Sequence, residues 1–131
     1  MKITPVNESA EVEGSELNYR GVILLVARAN NKNFKHMLRE VMKPYKLDFE
    51  KRRMDDDVAE DLMIGCVAKT ILVGWKNLTD TDGKEWKYSV QNAESLLRDD
   101  KDVHEAVSEF SEDIDNYIIK DAEDTKAKLS A

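Results

Sequence analysis

Residues 55–75 read DDDVAEDLMIGCVAKTILVGW, and their periodicity decides the fold class. Val58, Ala59, Leu62, Met63, Cys66, Val67, Thr70 and Ile71 recur at intervals of three and four, the spacing of one face of an α-helix. The three aspartates suit its first turn, where carboxylates meet the positive end of the helix dipole. The pattern predicts a helix that starts at the aspartates, continues to Gly74 and Trp75, and forms the centre of the core.

Upstream, Phe34, Met37, Leu38, Val41 and Met42 repeat the helical spacing after a polar break over residues 30–33 that holds N-cap residues. Pro44 disfavours helical geometry at Lys43 and ends or kinks that helix, so residues 45–53 form a short second helical piece. Further back, Leu17 and Tyr19 alternate with polar neighbours, Gly21 interrupts, and residues 22–26 are β-branched and leucine-rich. They predict a strand with Gly21 as a bend or bulge, although a helix over residues 22–29 fits the same short run. Residues 1–15 are polar and aperiodic, which predicts a loose arm, and they lack the apolar stretch of a secretory signal.

Downstream, residues 79–83 (Thr-Asp-Thr-Asp-Gly) read as a turn, with Trp86 and Tyr88 alternating with polar residues as in a small hairpin. Ser89 can cap a short helix carrying Val90, Ala93, Leu96 and Leu97, and Asp99 and Asp100 can start a last one. Its apolar stripe is Val103, Ala106, Val107, Phe110, Ile114, Tyr117 and Ile118. The expected fold is mainly α, a compact bundle of about four to five helices with a short N-terminal strand or small β-hairpin, an α+β architecture with a minor β part. It occupies residues 16–120 as one domain, with a flexible arm over 1–15 and a frayed tail over 121–131.

Composition narrows the function. The 131 residues carry 27 acidic against 20 basic groups, for a net charge of -7, so a whole-surface nucleic-acid binder is disfavoured. The longest apolar run, residues 22–27, is far short of the roughly 20 residues that span a bilayer, so no membrane partner is expected. A single cysteine excludes an internal disulfide and fits a reducing compartment. His36 and His104 are 68 positions apart without other ligands at metal spacing. If Gly83 were the sixth residue of a calcium loop, positions one and twelve would be Leu78 and Ser89, so that motif fails. No glycine pair is spaced to cradle phosphate, Cys66 reads as a small buried apolar group, and Trp75, Trp86 and Tyr88 read as a staple between hairpin and helices. No catalytic, cofactor-binding or metal-binding residue is expected, and the chain reads as a non-enzyme.

Charge is segregated. Residues 30–53 hold eight basic and three acidic groups, a balance of +5, whereas residues 89–131 hold five basic and twelve acidic, a balance of -7. Such a molecule can attract a copy of itself or steer an oppositely charged partner, or the two regions can pair within one fold or be simply solvated. The candidate partner surface is Lys32, Lys35, Arg39, Lys43, Arg52 and Arg53 on the basic side. Its acidic counterpart is Glu105, Glu109 and Glu112, with Phe110 and Tyr117 as apolar grips.

The segment Asn31-Lys32-Asn33-Phe34, followed by Leu38, Arg39 and Lys43-Pro44-Tyr45-Lys46, resembles the opening helix of tail assembly chaperones from long-tailed bacteriophages. Ala68, Thr70 and Trp75, then Asp80-Thr81-Asp82-Gly83, Tyr88-Ser89, Asn92-Ala93 and Leu96-Leu97, follow in the same order, and an acidic helix with Phe110 and Tyr117 completes the similarity over residues 30–119. Asn77 stands where that family carries glycine. The resemblance implies a non-enzymatic factor in the cytoplasm of the infected bacterium. Such a factor would bind and solubilise the tape measure protein, help recruit the tail tube protein, assemble with itself as a spiral or ring, use no cofactor and be absent from the mature virion. The alternative is a small acidic phage or bacterial regulator that binds a host protein through its C-terminal face.

Overall fold

The computed structural model describes residues 5–118. Helix α1 (Glu8–Glu13) leads into β1 (Ser15–Tyr19), which pairs antiparallel with β2 (Val22–Val26). Tyr19 stands opposite Val22, so Arg20 and Gly21 alone make the turn. Both take positive φ, 51° and 86°, which matches the twist of a two-residue hairpin, and the Asn18 side chain accepts from the Gly21 N–H at 3.1 Å. Gly21 is therefore the tip of a hairpin, not a bend within one strand.

The central helix, α4 (Asp56–Thr70), is capped by Asp55 but stops at Thr70. Instead of continuing helically to Gly74 and Trp75, the chain forms β3 (Leu72–Lys76), which pairs antiparallel with β2 to give the sheet order β1-β2-β3. The apolar spacing persists across the junction because both elements bury the same side of the chain. A register irregularity between Leu25 and Val26 places Leu72 opposite Val26 and Trp75 opposite Leu24. Two residues three apart thereby reach one sheet face, which a regular strand would not permit.

Around α4 stand α2 (Lys32–Met42), capped by Asn31, and α5 (Val90–Asp99), capped by Ser89. A 3-10 turn (Lys43–Tyr45) and α3 (Lys46–Glu50) follow α2 where Pro44 interrupts it. Helix α6 (Lys101–Glu112), capped by Asp100, packs on α5 and lies across β1 and β2. Leu24, Leu72, Leu97 and Val107 are at most 1% exposed, and burying each contributes about 1.5–3 kcal/mol. The architecture is compact α+β: helices around one small antiparallel sheet.

Two expectations change at the ends. The α6 stripe does not run to Ile118, because the helix ends at Glu112 and the Asp113 side chain caps a 3-10 turn, Ile114–Asn116. Nor are residues 5–15 a loose arm. Asn7 caps α1, its N–H donates to the Tyr117 carbonyl at 2.6 Å, and Arg28 N–H donates to the Glu11 carbonyl at 3.0 Å. These backbone bonds secure a segment without an apolar stripe. The frayed tail expected over 121–131 lies outside the described residues.

Candidate functional site

The interruption at Pro44 leaves α2, α3 and the first turns of α4 around an open groove of about 780 Å³. Helix α2 supplies Leu38 and Met42, four apart and so on one face. The chain between α3 and α4 supplies Met54, and α4 supplies Ala59, Leu62 and Met63. Only the C-terminal half of α4 is enclosed: Ile64, Cys66, Val67, Ala68 and Thr70 are buried, whereas Met63 is 40% exposed. Three methionines in one trough give a surface that adapts to its occupant, since an unbranched thioether repacks at low cost.

Long charged side chains rim the trough: Arg39, Lys43, Lys46 and Glu50. Lys43 Nζ donates to the Glu40 carboxylate at 3.0 Å, and that bond, with the ammonium's charge, holds the Glu40 carboxyl below the usual range. The described lining has no converging set of short polar groups of the kind that orients a small molecule, so the trough suits a side-chain-rich apolar partner with an anionic flank.

The sequence-derived surface divides into three parts. Lys32, Lys35 and Arg39 are exposed along α2, Lys43 is exposed at its C-terminal end, and Arg52 and Arg53 are exposed after α3. Glu105, Glu109 and Glu112 are exposed along α6. Among the described residues no ion pair joins the basic set to the acidic one; Lys43 pairs only with Glu40. The third part fails as a surface. Tyr117 is fully buried, its hydroxyl donating to the Val26 carbonyl at 2.8 Å, and half-buried Phe110 packs edge-on against it at 6.1 Å. The α6 stop at Glu112 turns Tyr117 inward, so it is a core residue and not a partner grip. Sequence reading put Leu62 and Met63 on the helix at the centre of the core, saw Leu38 and Met42 only as a helical stripe, and gave Met54 no role; the acidic start of α4 was the signal that its first turns face outward.

Other candidates resolve into structural roles. Cys66 is buried, and burial pushes its thiol pKa up, against a smaller opposing effect from Lys69. The Asp80 carboxylate accepts from the N–H groups of Asp82 and Lys84 at 2.9 and 3.0 Å, which closes the turn. Trp75 Nε1 donates to the Trp86 carbonyl at 2.6 Å, and the Tyr88 hydroxyl lies 2.8 Å from the Leu72 carbonyl. The three rings clip the hairpin region to β3 and α4. Among the described residues no three His, Cys, Asp or Glu side chains gather as a metal site, and no helix is long and apolar enough to cross a membrane.

A protein-family model described as YdaY prophage protein matches residues 29–128. Neither the curated proteins nor the solved structures give a match.

Proposed function

The chain belongs to the YdaY prophage protein family and is thus a phage-derived protein, and on that premise we propose that it is a non-enzymatic tail assembly chaperone. In this reading it binds and solubilises the tape measure protein, helps recruit tail tube subunits, and coats its client in several copies within the host cytoplasm without entering the mature virion. The observation that carries the reading is the exposed methionine-lined trough between α2, α3 and α4. A soluble factor that shields a long helical client needs an accessible apolar seat for one face of a helix, and weak contacts repeated along the client add up through multivalency. The order of motifs over residues 30–119 supports the same reading.

Co-expression with the tape measure protein of the same phage tests it. The wild-type chain should raise the soluble fraction of the client several-fold, and Met63→Asp should return it to the level seen without chaperone. Met63 is 40% exposed, and a denaturant melt of the variant checks that the folded state is retained under the conditions of the assay. A client equally insoluble with and without the wild-type chain refutes the proposal, as does full activity of Met63→Asp. Capture of a host protein by the acidic α6 face, with no effect on the client, would favour the regulator reading.

A further inference from the structure

The chain carries five methionines and one cysteine, and the fold sorts their sulfur atoms by place. Cys66 is fully buried in the core, and the same burial that raises its thiol pKa keeps it protonated and unreactive at neutral pH. Met37 is half-buried and packs on the core. Met42, at the end of α2, Met54, in the link after α3, and Met63, on α4, come from three segments to line one open groove, and none of the three belongs to the core cluster. Met1 lies outside the described residues.

A thioether counts as apolar, so all three side chains serve the floor of the trough as they stand. One added oxygen turns each into a sulfoxide, a polar acceptor that disrupts methionine-rich contact surfaces. The polar side chains of the lining, Arg39, Lys43, Lys46 and Glu50, stand on its rim, so sulfoxides on the floor keep water, and an apolar partner has to strip that water away to enter. A groove of about 780 Å³ open to solvent admits a peroxide, which is little larger than water. The packed core around Cys66 does not.

We propose that Met42, Met54 and Met63 are a set of reversible oxidation sites, converted by peroxide while the chain stays folded, and that their conversion closes the trough to apolar partners. In each step the sulfur lone pair attacks one peroxide oxygen, an S–O bond forms as the O–O bond breaks, and the second oxygen leaves as water. Sulfur loses two electrons and the peroxide gains them. Reversal needs a sulfoxide reductase and two thiols, which end as a disulfide and water. The consequence for a client rests on the trough being the seat proposed above; the oxidation sites themselves do not.

The test treats the full chain with hydrogen peroxide, without client, and follows it by peptide mass mapping and by binding of Nile red, a neutral apolar dye. Each of the three trough methionines should oxidise at least about tenfold faster than Met37, with Cys66 left a free thiol and the circular dichroism spectrum unchanged. Dye affinity should fall about tenfold after treatment and return on addition of methionine sulfoxide reductases with a thiol reductant. A chain carrying Met42→Leu, Met54→Leu and Met63→Leu, apolar and of similar volume, should bind dye equally well with and without peroxide, and Met63→Leu alone should keep part of that resistance. Oxidation of Met37 as fast as the three overturns the proposal. So does an untreated chain that binds no dye, a treated chain that unfolds, a dye affinity indifferent to the sulfoxides, or an equal loss in both leucine variants. A chain that passes here yet leaves the tape measure protein insoluble keeps its oxidation sites and loses only the chaperone reading.

Discussion

The Tyr117 hydroxyl donates to the Val26 carbonyl at 2.8 Å, joining residues 91 apart in sequence at a point with no solvent access. The segment after α6 is thereby pinned to the middle strand of the sheet, and the Tyr117 carbonyl in turn accepts from the Asn7 N–H. Tyr117→Phe keeps the ring and removes the donor. It should cost about 1–2 kcal/mol, seen as a lower denaturant midpoint at unchanged slope. An unchanged midpoint would mean that the bond contributes nothing net.

The same burial makes stability sensitive to alkali. Desolvation pushes the Tyr117 pKa well above the usual tyrosine range, with Arg28 opposing and Asp113 reinforcing, and burial also pushes up Tyr88. In the unfolded chain both hydroxyls ionise near pH 10, while the folded chain retains their protons. Above that pH the folded state binds more protons than the unfolded one, so stability falls as pH rises. Below it the contribution is fully present. The melting temperature should drop between about pH 9 and 11, and Tyr117→Phe should flatten that limb; identical limbs in the two proteins would contradict the assignment to Tyr117.

Asn31 ties three segments at once. Its Oδ1 accepts from the Phe34 N–H at 3.0 Å to cap α2, while Nδ2 donates to the carbonyls of Arg28 at 2.9 Å and Thr70 at 3.0 Å. It is 4% exposed, so Asn31→Ala should cost about 2–3 kcal/mol, the loss of a cap plus buried unpaired groups. Asn31→Asp preserves the cap but turns a carboxylate toward two carbonyls. Its destabilisation should therefore grow as pH rises through the new group's pKa, measured by urea melts between about pH 3 and 7. A pH-independent Asn31→Asp penalty would show that the side chain has turned away from those carbonyls.

Where local chemistry and packing agree, the fold was legible from the residues. Asn31, Ser89 and Asp100 each cap a helix whose apolar stripe faces the core, so cap and period give the same answer. Residues 71–75 defeat the reading because a buried strand and a buried helix end share one apolar run, and only the irregularity opposite Leu25 and Val26 lets Leu72 and Trp75 face together. The Tyr117 error has a similar source: the stripe continues in sequence after Asp113 has stopped the helix. Half of the candidate surface was visible as charge. Its apolar half was not, because Leu62 and Met63 fit the stripe of a core helix, and only the arrangement of α2 and α3 shows that α4 is left open there.

Gly14 and Gly21 separate backbone strain from crowding. Both have positive φ, 98° and 86°. Around Gly21 nothing lies within 4 Å of where a Cβ would be, so Gly21→Ala meets conformational strain alone, about 1 kcal/mol. At Gly14, between α1 and β1, a Cβ would stand 3.1 Å from the Leu25 carbonyl carbon, the Val26 nitrogen and Val73 Cγ2. Two of those atoms are backbone of the central strand and cannot yield without disturbing its ladder. The Gly14 φ of 98° with ψ of 151° also falls where essentially only glycine is comfortable. Gly14→Ala should therefore cost about 2–3 kcal/mol, well beyond Gly21→Ala, and the excess should appear as weaker amide-exchange protection in β1 and β2. Equal losses from the two substitutions would mean that α1 lifts off the sheet edge at little cost, and that the backbone bonds holding residues 5–15 contribute little to stability.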